Sequence, residues 1–312
     1  MKAELKISKR EGLFNNIVRN KYLFILVLPA LLSVFIFSYV PMVGIVISFM
    51  DFDIIKGLSG SDWVGFKHFI DIFTNEELLA SIVNTLWYGV VLLFGTFPMP
   101  IILALLINEV TNMRFKKVVQ TISYLPHFIS MIAVVGMFYA FFSVTGTYND
   151  LMCSIIGEGY ERRNLLMDSK FFLPIIYTAS LWKTVGWNSV IYLAAIAGVD
   201  QTMFEAATVD GCSKLKQILY ITIPSIKGTI LVVLIMSLGG LFNTNFELVN
   251  GFQNVFTQAE TDVISTVIYR QGIQNGKYSL STAFGLAQGI VTLIVTVLAN
   301  TLSKKVLEVS IW

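Results

Sequence analysis

Lys183 is a charged residue inside a long apolar stretch, and Trp182, Trp187 and Asn188 stand beside it. A charged group at membrane depth costs at least about 2.5 kcal/mol on insertion scales, so it usually has a functional partner. Aromatic faces next to hydrogen-bonding groups suit sugars, because the C–H faces of a sugar ring are apolar while its hydroxyl rim is polar. These residues are therefore predicted to line a pathway for a sugar. The alternatives are that Lys183 pairs with a neighbouring helix or subunit and only fixes packing, and that the tryptophans form an interfacial belt.

A second group of polar residues follows an apolar run that is too short to cross a membrane. The run 229–242 has 14 residues, and a helix of that length spans about 21 Å against about 30 Å of hydrocarbon. Asn243, Asn245 and Glu247 are therefore predicted to complete this span. As polar residues in a span, they should face a wet cavity or a partner subunit.

Three further patterns concern helix geometry. Gln288, in the last apolar run, is also predicted to line the pathway. In the same run, Gly285 and Gly289 form a Gly-x-x-x-Gly pattern that predicts close helix packing. Pro126 predicts a kinked helix in which His127 is a hydrogen-bonded core residue. The alternative, that His127 reaches the pathway, stays open.

Motifs for catalysis and nucleotide binding are absent from the sequence. The nearest approach to a phosphate-binding loop, Gly272 to Lys277, has the wrong spacing and lacks the Ser/Thr hydroxyl. Neither a Gly-x-Ser-x-Gly elbow nor a Gly-x-Gly-x-x-Gly fingerprint occurs. His68 and His127 are the 2 histidines of the chain, which excludes a His-rich metal site. The chain is predicted to be a conduit and not an enzyme, with no cofactor of its own.

The segment 200–212 carries signals for a short, rigid helical loop. Thr202 and Glu205 have the spacing of a capping box that would start a helix. Gly211 can supply the left-handed residue that ends it. A second short helix is predicted to continue until Pro224 breaks it. On these patterns alone, either the small-residue face of Ala206, Ala207 and Gly211 receives another surface, or Glu205 only caps the helix and the alanines pack against the base of the bundle.

Composition decides the class of protein that must hold these residues. The 312 residues are 55% hydrophobic and 13% charged, with a mean hydropathy of +0.72. A typical soluble domain has about 25% charged residues. Half that charge cannot cover the surface of so long a chain, which excludes a water-soluble globule, and the apolar content excludes disorder. A polytopic membrane protein is predicted.

Six apolar runs are long enough to cross the bilayer as helices, which predicts an all-α fold. Of the 22 Lys and Arg residues, fourteen lie on one side of this topology and seven on the other. The positive-inside rule therefore places both termini in the cytoplasm. A single domain over 1–312 is predicted, with an N-terminal cytoplasmic or interfacial segment 1–22, a six-helix core 23–302, a cytoplasmic loop 198–225 and a tail 303–312. The predicted spans are 23–49, 83–107, 118–142, 171–197, 229–247 and 281–302.

The loop motif resembles that of a known family. The run Glu205-Ala206-Ala207, followed after three residues by Gly211, resembles the EAA loop of ABC-importer permeases. With Ile-Thr-Ile-Pro at 221–224, it is similar to the carbohydrate branch, the importers of oligosaccharides and polysaccharides. Shorter runs at 63–66, 84–86, 125–126 and 191–195 also resemble these permeases.

The resemblance implies a type I ABC-importer permease fold with six transmembrane helices in the bacterial plasma membrane. It also implies a coupling helix at about 203–210, seated in a cleft of a cytoplasmic ATPase. The residues that it assigns to this contact are Glu205, Ala206, Ala207, Asp210 and Gly211.

The same resemblance implies the other subunits of an importer that moves a sugar by alternating access. These are a second homologous permease, two ATPase subunits that hold ATP and Mg, and an extracellular or periplasmic sugar-binding protein; no nucleic acid is expected. The alternative is a self-contained, ion-coupled secondary sugar carrier. Such carriers generally show inverted repeats and discontinuous helices, which this sequence does not show. A membrane enzyme is a weaker alternative still, because no constellation of acid, base and nucleophile is present.

Overall fold

The computed structural model describes residues 19–157, 159–242 and 244–307, and helices make up most of this part of the chain. The predicted interfacial segment before residue 19, Asn243 and the last five residues of the tail lie outside the described residues. The α-helices are α1 Lys21–Val34, α2 Gly57–Gly60, α3 Lys67–Thr74, α4 Glu76–Thr96, α5 Pro98–Glu109, α6 Met113–Tyr124, α7 Met131–Phe142, α8 Thr147–Ile156, α9 Ser169–Ala197, α10 Gln201–Val209, α11 Lys214–Gln217, α12 Ile223–Gly239, α13 Phe246–Phe252, α14 Gln258–Thr261, α15 Ile264–Tyr269 and α16 Tyr278–Leu307.

Irregular helical turns and one small sheet connect these helices. The 3₁₀ segments are Val40–Phe49, Leu125–Phe128 and Leu165–Met167, and the π turns are Phe35–Tyr39, Ile218–Thr222 and Arg270–Gln274. Strand β1 (Met50–Asp51) pairs antiparallel with β2 (Asp62–Trp63), with Met50 opposite Trp63.

The described residues contain five helical stretches that are long and apolar enough to cross a membrane. Helix α9 qualifies as a sixth when it is taken with α10, which follows it after a bend of 73°. The predicted all-α architecture is therefore confirmed. The five stretches are Lys21–Phe49, Glu76–Glu109, Met131–Ile156, Lys214–Gly239 and Tyr278–Lys305.

The predicted third span, 118–142, is not one helix. Helix α6 ends at Tyr124, a 3₁₀ turn follows, and α7 starts only at Met131. Pro126 lacks the N–H that would continue the helix, and Ser130 caps α7 by accepting a hydrogen bond from the Ala133 N–H at 3.3 Å. The kink expected at the proline is therefore a complete break in the helix.

The predicted fifth span, 229–247, is placed wrongly. The helix runs instead over Lys214–Gly239, so the 14-residue run is extended on its N-terminal side. Pro224 does not break it, because the proline follows the π turn Ile218–Thr222, where the regular hydrogen-bond ladder is already interrupted. Asn245 and Glu247 lie beyond the end of the span, at the start of α13.

Buried side chains form three clusters along the bundle. The first joins α4, α7, α9 and α13 around Ile176 and Phe252. The second lies around Leu78, at the end of the bundle opposite the loop 198–213. The third lies at the loop end, around Tyr192, and Phe204 of α10 packs against it. The loop is thereby attached to the base of the bundle.

Close helix approach occurs at glycines other than the predicted pair. A Cβ at Gly186 would lie 1.8 Å from the Ser123 carbonyl oxygen, and a Cβ at Gly89 would lie 2.2 Å from that of Leu241. In contrast, a Cβ at Gly285 would meet only Ile268, at 3.8 Å, and one at Gly289 would meet nothing within 4 Å. The close packing predicted for Gly285 and Gly289 is therefore wrong within the described chain, because no neighbouring backbone covers that face of α16.

Candidate functional site

The predicted coupling helix is α10, and its first turn is capped differently from the prediction. Asp200 is the N-cap, and its Oδ1 accepts a hydrogen bond from the Thr202 N–H at 2.9 Å. This bond holds the pKa of the exposed Asp200 carboxyl below its usual range. The predicted capping box of Thr202 and Glu205 is wrong, because Asp200 is the N-cap and the Thr202 N–H already donates to its carboxylate.

The end of α10 agrees with the sequence. Gly211 has φ +73°, the left-handed conformation that glycine adopts without steric cost. The Cys212 N–H donates to the Ala207 carbonyl at 2.8 Å, and the Gly211 N–H donates to that of Thr208 at 3.1 Å. These two bonds form a Schellman motif, which stops the helix and turns the chain sharply.

Buried polar contacts hold the loop to the fifth span. The amide of Gln217, which is 3% exposed, donates to Thr208 Oγ1 at 3.1 Å and to the Cys212 carbonyl at 3.3 Å. Lys214 Nζ lies 3.6 Å from Glu109 Oε2, at the end of α5. Gln217 therefore links α10 and the turn after it to the start of the fifth span, and Lys214 links that start to α5.

The outer surface of α10 is exposed. The helix has no buried residue, and Val209 is 88% exposed. Among the residues assigned to the ATPase contact, Ala207 is half-buried and the others are exposed: Glu205, Ala206, Asp210 and Gly211. Ala206 therefore does not pack against the base of the bundle, whereas Ala207 is partly covered by the rest of the described chain.

A cavity of about 740 Å³ opens between the second, fourth and fifth spans. Three of the predicted pathway residues line it: Trp187 and Asn188 from α9, and Asn245 from the loop before α13. Aliphatic side chains form most of the remaining wall, so the cavity is apolar with a few polar groups. The residues that line it are Gly89, Leu92, Leu93, Thr96, Phe97, Pro100, Trp187, Asn188, Val190, Ile191, Tyr192, Ala194, Val233, Met236, Ser237, Gly240, Leu241, Thr244 and Asn245.

The other predicted pathway residues lie elsewhere. Gln288 lines a separate groove of about 460 Å³, and its amide donates to the Phe242 carbonyl at 2.6 Å. Trp182 and Glu247 are exposed but do not line the main cavity. Lys183 Nζ donates to the carbonyl oxygens of His127, at 3.0 Å, and Ile129.

Sequence reasoning missed three Ser and Thr hydroxyl groups that line the cavity, those of Thr96, Ser237 and Thr244. Thr96 donates to the Leu92 carbonyl at 2.6 Å, and Ser237 donates to that of Val233 at 2.8 Å. Their lone pairs stay available to a ligand. No spacing in the sequence distinguishes these three residues from other Ser and Thr residues, because single hydroxyl groups are common in apolar helices.

Comparison with known proteins identifies the family. Residues 96–308, which contain α10 and most of the cavity wall, match the binding-protein-dependent transport system inner membrane component. The chain belongs to this family. It is therefore an ABC-importer permease subunit, a multi-pass protein of the bacterial inner membrane and a transport subunit that is not itself the ATPase.

Individual relatives of this permease share nearly its whole length. The polygalacturonan/rhamnogalacturonan transport system permease protein YteP of Bacillus subtilis is 40% identical over 308 residues, which cover 98% of this chain and 95% of YteP. Protein LplB of the same organism is 41% identical over 288 residues, covering 92% of this chain and 90% of LplB.

A solved structure shares the fold of the permease. It is a bacterial alginate ABC transporter in complex with an alginate pentasaccharide-bound periplasmic protein. One of its chains superimposes with a TM-score of 0.87 at 38% identity, covering 96% of this chain and 99% of that one. The predicted ABC-importer permease fold is thereby confirmed. Within the described residues, no group of three or more His, Cys, Asp or Glu could hold a metal ion.

Proposed function

We propose that this permease conducts an oligosaccharide, and that the cavity of about 740 Å³ forms part of its pathway. The observation that carries the proposal is that Trp187, Asn188 and Asn245 line the same cavity. An indole face receives the C–H face of a sugar ring, while amides bond to its hydroxyl groups. Sugar recognition needs these two kinds of contact side by side.

We infer that the transported oligosaccharides contain uronate residues. The relatives at 38–40% identity include a polygalacturonan/rhamnogalacturonan permease and an alginate importer, and all three polymers are acidic. A relative named for arabinooligosaccharides is only 25% identical. An acidic substrate is consistent with a wall that carries amides, hydroxyls and an indole but no carboxylate, since a carboxylate would repel a uronate.

Transport of labelled galacturonate, alginate and arabinose oligosaccharides by the reconstituted importer tests this assignment. Trp187→Ala should lower the transport rate of an acidic oligosaccharide about fivefold, the equivalent of one lost aromatic contact. Trp87→Ala removes an exposed indole of α4 that does not line the cavity, so it should leave the rate unchanged. Equal rates for the Trp187→Ala variant and the wild type would show that the cavity is not part of the pathway.

We propose that α10 transmits ATP-driven motion to the bundle. The cytoplasm would lie at the loop end, and two ATPase subunits that bind ATP and Mg would receive Glu205 and the small residues beside it. A second homologous permease would complete the pathway, and an external sugar-binding protein would deliver the substrate. The exposed surface of α10 and its fixed attachment through Gln217 support this role.

Co-purification of the ATPase tests the coupling role. Glu205→Ala should reduce both the amount of ATPase recovered with the permease and sugar uptake. Glu161→Ala removes an exposed glutamate at the opposite end of the bundle and should change neither. Normal ATPase recovery and normal uptake by Glu205→Ala would contradict the role of α10.

A further inference from the structure

The break between α6 and α7 leaves backbone carbonyl groups without helical partners. The 3₁₀ turn Leu125–Phe128 ends at Ile129, whose backbone is extended. Carbonyls at the end of a helix need an external donor, and an unsatisfied carbonyl costs several kcal/mol in a membrane. The structure supplies a donor from α9.

Lys183 is that donor. Its ammonium donates to the carbonyl oxygens of His127 and Ile129, the residues on either side of Phe128. A cation at the carbonyl end of a helix is also favoured by the helix dipole. Lys183 therefore fixes the backbone of the break on both sides of Phe128.

The fixed backbone presents two aromatic rings to Trp187. The His127 ring stacks on the indole at a centroid distance of 4.5 Å and an interplanar angle of 5°. Phe128 meets the same indole edge to face at 5.6 Å. The Nδ1 of His127 is buried and has no hydrogen-bond partner among the described residues. Ring contacts and the backbone held by Lys183 therefore orient the imidazole.

One face of Trp187 remains open to the cavity. Trp187 is 45% exposed and lines the cavity, although His127 stacks on the other face of its indole. We propose that Lys183 is a positioning residue, which holds the His127 ring against Trp187 so that the indole presents a fixed face to a sugar. This inference rests on the proposed sugar pathway and gives Lys183 a role through the indole, without contact to the substrate.

Acrylamide quenching of Trp187 fluorescence in the reconstituted importer tests this role without a substrate. The chain has 5 tryptophans, so the Trp187 signal is the difference between each variant and the same variant carrying Trp187→Phe. Lys183→Met should increase quenching, because the indole loses its cover on one face. Lys183→Arg retains the charge and the donors, and should restore much of the protection. Lys227→Met changes an exposed lysine of the fifth span and should have no effect.

The transport rate of the labelled galacturonate oligosaccharide should fall in the variants in which Trp187 quenching increases. Lys183→Met should lower the rate about threefold, since the indole face is less well ordered, and Lys183→Arg should recover it. A lower rate with unchanged quenching would overturn the positioning role, because it would show direct contact between the lysine and the sugar. An unchanged rate for Trp187→Ala would overturn the proposed pathway as well.

A second variant keeps the test valid if Lys183→Met does not assemble. His127→Ala removes the stacked ring but keeps the carbonyl to which Lys183 donates. It should increase Trp187 quenching and lower transport while the break remains capped. Quenching equal to that of the wild type would overturn the proposal.

Discussion

Arg270 forms the most buried ion pair of the described chain, at the end of the bundle opposite α10. Its guanidinium donates to Asp262 Oδ1 at 2.9 Å and to Glu77 Oε1 at 2.7 Å. Asp262 is 3% exposed and also accepts hydrogen bonds from Thr266 at 3.1 Å and Gln253 at 3.2 Å. The hydrogen bond to Asp262 raises the pKa of Arg270, so the guanidinium remains charged.

The two carboxylates should therefore differ in their effect on stability. Asp262→Ala should lower the free energy of unfolding by about 3 kcal/mol, because it leaves a mostly buried guanidinium without its main partner. Glu77→Ala should cost less than about 1 kcal/mol, since that carboxylate is half exposed. Unfolding in detergent, followed by circular dichroism, measures both changes. Asp150→Ala, from an exposed pair with Arg162 at 2.8 Å, is the control, and an equal loss for all three variants would contradict this account.

At the scale of elements, α9 organises the bundle because one of its glycines allows a backbone contact. Gly186 lies against the Ser123 carbonyl of α6. This approach brings α9 next to the break at 125–130, where Lys183 reaches its carbonyl acceptors. The cavity-lining residues Trp187 and Asn188 come directly after Gly186 in the sequence. The same short segment of α9 therefore makes the contact with α6 and forms part of the cavity lining.

Gly186→Ala should destabilise the permease by about 1–3 kcal/mol, the usual cost of an overpacked core. The added Cβ would lie 1.8 Å from a backbone oxygen, which no side-chain rotation can relieve. Gly136→Ala in α7 is the matched control, because a Cβ there would meet nothing within 4 Å. Thermal unfolding of the two variants in detergent compares them. Equal melting temperatures would show that α6 and α9 separate without cost.

At the scale of the whole molecule, the two free cysteines mark opposite ends of the bundle. Cys153 lies in α8, close to the end of the third apolar stretch Met131–Ile156, and Cys212 follows α10 in the loop between the fourth and fifth spans. Both are partly exposed. The excess of Lys and Arg on the side of the loop predicts that Cys212 faces the cytoplasm.

Labelling of intact cells with a membrane-impermeant maleimide tests this orientation. The variant that keeps only Cys153, made by Cys212→Ser, should react from outside. The variant that keeps only Cys212, made by Cys153→Ser, should react only after the membrane is permeabilised. Labelling of both variants in denaturant controls for access within the fold. The opposite pattern in intact cells would show that the orientation is the reverse of the predicted one and that α10 does not face the cytoplasm.

The sequence predicted the features that depend on local chemistry. Apolar runs require a helix whenever they cross hydrocarbon, and Gly211 ends α10 because only a left-handed residue fits the turn. Boundaries were less predictable where two local signals compete. Pro224 was predicted to end a helix, but the π turn before it accommodates the missing N–H. The fifth span therefore starts at Lys214, and Glu247 lies outside it.

By itself, the sequence determined the all-α membrane class, the helical loop at 200–212 and the residue types suited to a sugar. Only the tertiary structure decided which of those residues line the same cavity. Trp187 and Asn188 line the cavity, whereas Lys183, on the same helix, binds carbonyls that are 54 and 56 residues away in the chain. Helical periodicity fixes the face on which a side chain lies, but the packing of distant segments decides what that face meets.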